Sequence, residues 1–499
     1  MTELELKFRV DDEALARWRT LLLQQGAQQR RLSAHYFDTA DGRLDRARVS
    51  LRLRHEGAGW VQTLKTAGDG TLRRQEHEVP VPGAAAGRRP SLNLDRHLGS
   101  AAFDGLLAAL AGADAASLRV RHATTVERTA LRVRTAGGTE AELALDEGEA
   151  VAGEHGEQGK RHSPIAELEI EYLAGPIAGL FDIAQDVLSA GGAWLGTVTK
   201  AERGARLLAA APPPAVKAAP VTLPPGCDAS AFVSAVLRNA LAQVLPNLGE
   251  VAEGDEAPER IHQLRVGLRR LRTALRELAA LDPRLQPEWE GPLRQAFARL
   301  GDRRDDDSAA ALVRPLLEAA GAPKCRWSAT AGVDLIAAAR APALQAVLLR
   351  LIACAEGAEA VSPAALPPRE LKAWLARRLQ GLWRRVCRDG RRFERLPADR
   401  QHQVRKRLKR LRYLAEFAAP LWSAKAAAQT TAWLSPVQDA LGACNDHLVA
   451  LARFRADAET DPRSLFAVGF LQARLPALAH EAQRRLRRLA ERRPFWQRR

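Results

Sequence analysis

The sequence predicts an α+β chain in two halves. The first is an eight-stranded antiparallel β-barrel with a polar interior and flanking helices; the second is all-α, two pseudo-symmetric helical bundles. Three observations predict this. Strand-length segments before residue 209 put charged side chains on one face and apolar ones on the other. The stretch AAAPPPAVKAAPVTLPPG, residues 209–226, is too rich in proline to continue a helix or a central strand. Beyond it almost every segment has helical period, and one segment occurs twice.

The opening MTELELKFRV alternates Glu3, Glu5, Lys7 and Arg9 against Leu4, Leu6, Phe8 and Val10. A solvated edge would explain one such strand, but the pattern recurs. VSLRLRH sets Arg52 and Arg54 against Val49, Leu51 and Leu53, and WVQTLKT sets Thr63 and Lys65 against Trp60, Gln62 and Leu64. RRQEHEV aligns Arg74, Glu76 and Glu78; VERTALRVR aligns Arg128 with Arg132 and Arg134, the last two read as surface arginines. AELALDEG pairs Glu142 with Asp146, and IAELEIEY aligns Glu167, Glu169 and Glu171 against Leu168 and Ile170. Three like charges on one face of a short strand repel unless something positive lies between them. Acids on the first and last strands and bases in the middle suit neutralisation across a closed interior. The apolar faces then turn outward, where DEALARWRTLLLQQG and PIAGLFDIAQDVLSAGG can cover them as amphipathic helices. Eight strands leave room for side chains or one small ligand.

In this order Glu3-x-Glu5-x-Lys7, HYFDT (35–39), LRLR (51–54), the strand ending at Lys65, Glu167-x-Glu169-x-Glu171 and TKAERG (199–204) resemble the CYTH, or triphosphate tunnel metalloenzyme, family. The resemblance covers residues 1–208; Thr199 departs from it, since related sequences often have serine before the lysine. It implies a metal-dependent triphosphatase in which one ion helps bind the substrate and a second activates the attacking water. Chemistry leads to the same residues from below. Glu3, Glu5, Asp146, Glu167, Glu169 and Glu171 are candidate ligands for Mg²⁺ or Mn²⁺. Lys7, Arg52, Arg54, Lys65, Arg121, Arg128 and Lys200 are candidate clamps on phosphate oxygens. Glu3, Glu5, Lys7 and Lys65 are the catalytic candidates, while His35 and His77 read as ordinary polar residues.

After the linker, IHQLRVGLRRLRTAL from Ile261 and QHQVRKRLKRLRYLA from Gln401 superpose residue by residue. His262, Arg265, Arg269 and Arg272 recur as His402, Arg405, Lys409 and Arg412, one stripe on each helix. Leu264, Leu268 and Leu271 answer Val404, Leu408 and Leu411 as the core-facing stripe. LGDRRD at 300–305 is matched by LGACND at 441–446, so roughly 140 residues are duplicated. A lone basic helix reads as a solvated face, and a duplicated one with matched histidine favours a repeating polyanion. The pattern resembles the CHAD (conserved histidine α-helical) domain over residues 228–499, which implies binding of inorganic polyphosphate. Arg270, Lys406 and Arg410 flank the stripes and widen them; Asp305, Asn445 and Asp446 read as groups that orient the arginines. The closing QRRLRRLAERRPFWQRR reads as a charged helix with an exposed tail.

The bulk numbers agree with this division. The net charge of +16 divides into roughly −1 before residue 221 and roughly +17 after it, which points to an anionic partner for the second half. Five cysteines without a CxxC pair argue against a disulfide framework or a thiolate zinc site. An acidic start and the lack of a bilayer-length apolar run predict a cytoplasmic chain, with association to polyphosphate granules as an extension. The expected domains are 1–208, a linker at 209–227 and 228–499. The expected reaction is hydrolysis of inorganic tripolyphosphate to pyrophosphate and phosphate, beside a module for long-chain polyphosphate. Alternatives are a nucleoside or thiamine triphosphate as substrate, adenylate cyclisation, or a non-catalytic granule-targeting protein. Specific nucleic-acid binding lacks a helix-turn-helix, zinc-finger or aromatic RNA-binding signature.

Overall fold

A computed structural model describes residues 2–57, 59–68, 72–82, 88–112, 115–153, 160–324, 334–358 and 366–497. Eight antiparallel strands form the first half: β1 (Thr2–Val10), β2 (Gln28–Asp38), β3 (Ser50–Glu56), β4 (Gly59–Ala67), β5 (Arg73–Val81), β6 (Arg119–Arg134), β7 (Glu140–Ala152) and β8 (Arg161–Ala174). Their spatial order is β5-β4-β3-β2-β6-β7-β8-β1, and pairing of β1 with β5 closes the barrel. A short β9 (Ala193–Leu195) takes over the edge of β1 at Phe8–Val10, beyond the three residues that β5 covers.

On the strands with a charged face the alternation has the expected sense, apolar side out and charged side in; β2 instead turns Leu32, Ala34 and Tyr36 inward. Helix α1 (Asp12–Gln24), capped by the Asp11 carboxylate accepting from the Ala14 N–H, packs on β6, β7 and β8 and buries Leu15 and Trp18 in the apolar core that also holds Leu6 and Phe8. Helices α2 (Arg43–Arg46) and α3 (Ala101–Leu110) cover Leu51, Leu53 and Leu64 with Leu44, Ala102 and Leu106. Helix α4 (Ala178–Ser189) adds Leu180 and Val187 over Leu168 and Ile170. Each such fully buried large apolar side chain contributes about 1.5–3 kcal/mol.

Helix α5 (Lys200–Arg206) plugs one end of the barrel. It starts on a capping box between Thr199 and Glu202, and Gly204 lets it lie against His122, where a Cβ would come within 2.0 Å of the ring. Residues 212–224 contain no helix or strand, yet they are tied along α6 (Ala229–Ala252). Asn247 bonds both backbone groups of Val216, and Asn239 donates to the carbonyls of Ala219 and Pro220.

The second half continues with α7 (Pro258–Leu278), α8 (Glu290–Ala319), α9 (Leu335–Arg340), α10 (Pro342–Glu356), α11 (Pro368–Gly390), α12 (Ala398–Ala418), α13 (Ala424–Asp457) and α14 (Ser464–Ala490). The duplicated segments are α7 and α12; each packs on the helix that follows it in its own copy, α8 or α13, and they also touch each other. One apolar core runs through both halves, because α10 packs on α4 and β9. Polar links cross the same boundary: Glu253, at the C-terminal end of α6, lies 3.1 Å from the Arg9 guanidinium and 3.5 Å from that of Arg203, and Arg73 pairs with Glu356 at 2.9 Å. Among the described residues no helix is long and apolar enough to cross a membrane.

Candidate active site in the barrel and the duplicated helices

The barrel lumen holds a cavity of about 280 Å³. Alternation brings Glu3, Glu5 and Lys7 of β1, Arg52 and Arg54 of β3, Lys65 of β4, Arg128 of β6, Asp146 of β7, and Glu169 and Glu171 of β8 to its wall. Lys200 reaches it from α5. The β1–β8 register sets Glu5 opposite Glu171, Lys7 opposite Glu169 and Arg9 opposite Glu167, so the ionic ladder is built by backbone pairing.

Three charge groups result. In the first, the Lys200 ammonium lies 2.6 Å from both Asp146 and Glu169 and also pairs with Glu167. Lys7 pairs with Glu169 and sits 3.5 Å from Glu5 and Glu167; Arg128 grips Asp146 in bidentate fashion at 2.8 and 2.6 Å and reaches Glu169 at 2.6 Å. Burial opposes ionisation of Glu169, but Lys200, Lys7 and Arg128 outweigh it and hold the carboxyl well below its ordinary value. Burial likewise opposes charge on Lys200, and Asp146, Glu167 and Glu169 overcome it and push the ammonium well up. In the second group Lys65 donates to Glu3 at 2.7 and 2.9 Å and lies 2.9 Å from Glu76. Here acids outnumber bases. Burial together with Glu169 pushes Glu5 up to about 7, and burial with Glu3 and Glu76 pushes Glu171 up to about 7. In the third, Arg52 and Arg54 share Glu78 at 3.6 and 3.2 Å; despite burial, the two guanidiniums pull its carboxyl down to about 2.

Two predicted residues lie elsewhere. Glu167 is fully buried behind Lys7 and Lys200, outside the cavity wall. Arg121, expected as a phosphate clamp, is the extra residue of a β-bulge: Tyr36 pairs with His122 and Phe37 with Val120, and Arg121 lines a neighbouring groove. His35 stacks on Trp60 and His77 pairs with His97, both on the outer side of the wall. The lumen also includes residues left off the candidate set: Arg30, Tyr36, Arg74, Glu76, Glu78, Arg132 and Glu142. Alternation already aligned Arg74, Glu76 and Glu78 with one another and Glu142 with Asp146. For Arg30 no signal existed, because Arg31 beside it leaves the inward face ambiguous.

The helical stripes are less open than a solvated face. Arg265, Arg269 and Arg272 lie over the ring of Phe297 from α8, at 4.7, 4.8 and 5.6 Å. Arg265 is only 4% exposed and donates to the Leu300 carbonyl, packed where Gly301 leaves no Cβ. Arg270 corrects the expectation outright: at 2% exposure it donates to Gln243 and Asn239 beneath the Phe417 ring and presents nothing to a ligand. His262 is half-buried, and in the other copy the His402 ring bonds the Asn445 amide oxygen at 3.0 Å. Arg405 lies 3.9 Å from Asp446, Arg412 pairs with Glu416 at 2.8 Å, and the side chain of Asp305 is outside the described residues. Where α7 and α12 meet, cations face cations. Burial and then Arg272 and Arg276 pull the Lys406 ammonium down, while Arg410 lies 3.3 Å from the buried Glu277 that also takes Arg378.

A closed barrel with an ion-paired lumen, followed by a duplicated helical region, defines a tunnel-domain protein with a helical partner domain. The family models are specific: the CYTH domain matches residues 1–205 and the CHAD domain residues 235–455, so the chain is a CYTH domain followed by a CHAD domain. CYTH domains are a triphosphatase-type family. Among solved structures, the CHAD domain from the plant Ricinus communis is 24% identical, covering 55% of this chain and 97% of its own, with a TM-score of 0.41. A protein from Hippeastrum, assigned as an adenylyl cyclase and reported to reveal a dominant triphosphatase activity, is 19% identical over 39% of this chain and 90% of its own, TM-score 0.28.

Proposed function

We propose that the chain is a divalent-metal-dependent inorganic triphosphatase, hydrolysing tripolyphosphate to pyrophosphate and phosphate, whose helical half binds inorganic polyphosphate. Residues 1–208 and 228–499 are the two working units, joined by 209–227, in a cytoplasmic chain drawn to polyphosphate granules. The observation that carries the reading is the convergence of Lys7, Arg52, Arg54, Lys65, Arg128 and Lys200 with the carboxylates of Glu3, Glu5, Asp146, Glu169 and Glu171 in one lumen.

The donor set fits a hard divalent ion. Of the six candidate ligands, Asp146, Glu167 and Glu169 lie within 4.8 Å of one another, but Lys200, Lys7 and Arg128 already neutralise them. Glu5 and Glu171 are the least neutralised, both pushed up to about 7, and Glu3 has Lys65 as its cation, which favours these three as the principal ligands. When bound, Mg²⁺ or Mn²⁺ supplies Lewis-acid polarisation of phosphate oxygens and of water. Arg52 and Arg54 share Glu78, with Arg54 also 2.8 Å from Glu56, and the two guanidiniums have hydrogen-bonding capacity left for a phosphate. Lys7, Lys65, Arg128 and Lys200 exchange carboxylate partners for phosphate oxygens as charge builds on the departing bridge oxygen. Walls of buried leucines and phenylalanine keep these groups preorganised.

Phosphate release from tripolyphosphate and from ATP, side by side with Mg²⁺ and with chelator, tests the reading. Metal-dependent release from tripolyphosphate alone is expected. Equal release from ATP would move the substrate to nucleoside triphosphates, and no release from either would leave a binding protein.

A further inference from the structure

We propose that a second groove for a phosphate chain, distinct from the α7–α12 face, lies between α11 and the C-terminal segment; the proposal rests on the reading of the helical half as a polyphosphate binder. Residues 491–497, after α14, do not trail into solvent. Phe495 and Trp496 are buried, the Trp496 indole N–H donates to Gln380 Oε1 at 3.0 Å, and Gln497 donates to the same oxygen at 2.6 Å. The Trp383 ring meets Trp496 edge to face at 5.6 Å. This anchoring sets Arg492 and Arg493 across from Arg384 and Arg388 of α11 and from Arg391, its C-cap, around a groove of about 420 Å³.

All five arginines are exposed. Against them stand Glu491 on the groove wall and Asp389, which takes Arg388 at 3.0 Å; Arg492 lies 5.5 Å over the Trp433 ring. Positions 384 and 388 of α11 and the C-cap position 391, still in helical conformation, form one stripe about 10 Å long at 1.5 Å per residue. Guanidinium forks match phosphate oxygens, and a cluster of this density gains affinity by releasing the counterions of a polyanion. The aromatic ring on the groove wall, Trp383, is buried against Trp496 and offers no face for a base, which favours an inorganic phosphate chain over nucleic acid. The adjoining side of α11 carries Arg378, bound to Glu277 at 2.6 Å, and Arg385, whose charge acts on Arg410. Helix α11 therefore joins the groove to the α7–α12 cations, and a long chain can engage both where a short one cannot.

The test uses the full chain carrying Arg384→Gln, Arg391→Gln and Arg493→Gln together, titrated with end-labelled long-chain polyphosphate across a salt series. Affinity should fall at least about tenfold, and the slope of log affinity against log salt should shrink by about 2. Tripolyphosphate turnover and the melting temperature should not move. An unchanged slope, with an Arg276→Gln/Lys406→Gln variant losing affinity, overturns the groove and leaves the α7–α12 reading standing. No binding by the unaltered chain overturns both. Displacement by single-stranded RNA at equal phosphate concentration replaces the proposal with nucleic-acid binding.

Discussion

The barrel and the duplicated helices both carry rows of charge on one face, and the fold treats the two rows in opposite ways. In the barrel, closure turns every charged face inward, where acids from β1 and β8 meet bases from β3, β4, β6 and α5. In the helices, the basic row is split: Arg265 and Arg270 are consumed by packing, and Lys406 stays at the surface. A strand has two faces, so a charged one has a single alternative to solvent. A helix surface is continuous, and a residue next to the stripe can fall inside the core.

The largest expected effect tests the barrel side of that contrast. Glu5→Gln should lower tripolyphosphate turnover by about 100-fold or more with an unchanged circular dichroism spectrum. Turnover within a fewfold of the unaltered chain would reduce the lumen charges to structural neutralisation. Next comes Arg270→Ala, which removes a fully buried side chain and strands Gln243 and Asn239; it should cost about 3 kcal/mol in chemical denaturation while polyphosphate affinity per folded molecule is retained. If affinity falls and stability does not, Arg270 belongs with the ligand-facing group. Lys406→Gln is the converse, with no change in melting and a salt slope smaller by about 1.

The smallest effect concerns His402. Burial, with Lys406, Arg405 and Lys409 around it, lowers its pKa below the usual 6.5 despite the bond to Asn445. A bound polyanion favours the imidazolium, so polyphosphate affinity should rise, by less than about tenfold, as pH falls from 7 through that lowered value. His402→Gln should flatten the profile; a profile that stays steep would assign the pH dependence to other groups.

Much of the fold was legible because it rests on local period. Alternation identified the strands that bring Glu3, Glu5, Lys7, Arg52, Arg54, Lys65, Arg128, Asp146, Glu169 and Glu171 together, and the matched offsets of His262 and His402 located α7 and α12. Arg30 was missed because two adjacent arginines leave the inward one undefined. Arg121 was misplaced because a bulge adds a residue and reverses the side that follows, and nothing in RVRHAT announces it.

By itself, then, the sequence determined which side chains share a face, where the pattern changes from strand to helical period, and that one helical unit occurs twice, since each depends on neighbours along the chain. Tertiary structure alone decided that Lys7 stands opposite Glu169, that Lys200 comes through the barrel end to join Asp146 and Glu167, that Arg270 is buried, and that the C-terminal arginines fold back on α11. Strand register, barrel closure and helix docking arise from residues far apart in the chain. No local period encodes which of several compatible pairings the apolar core selects.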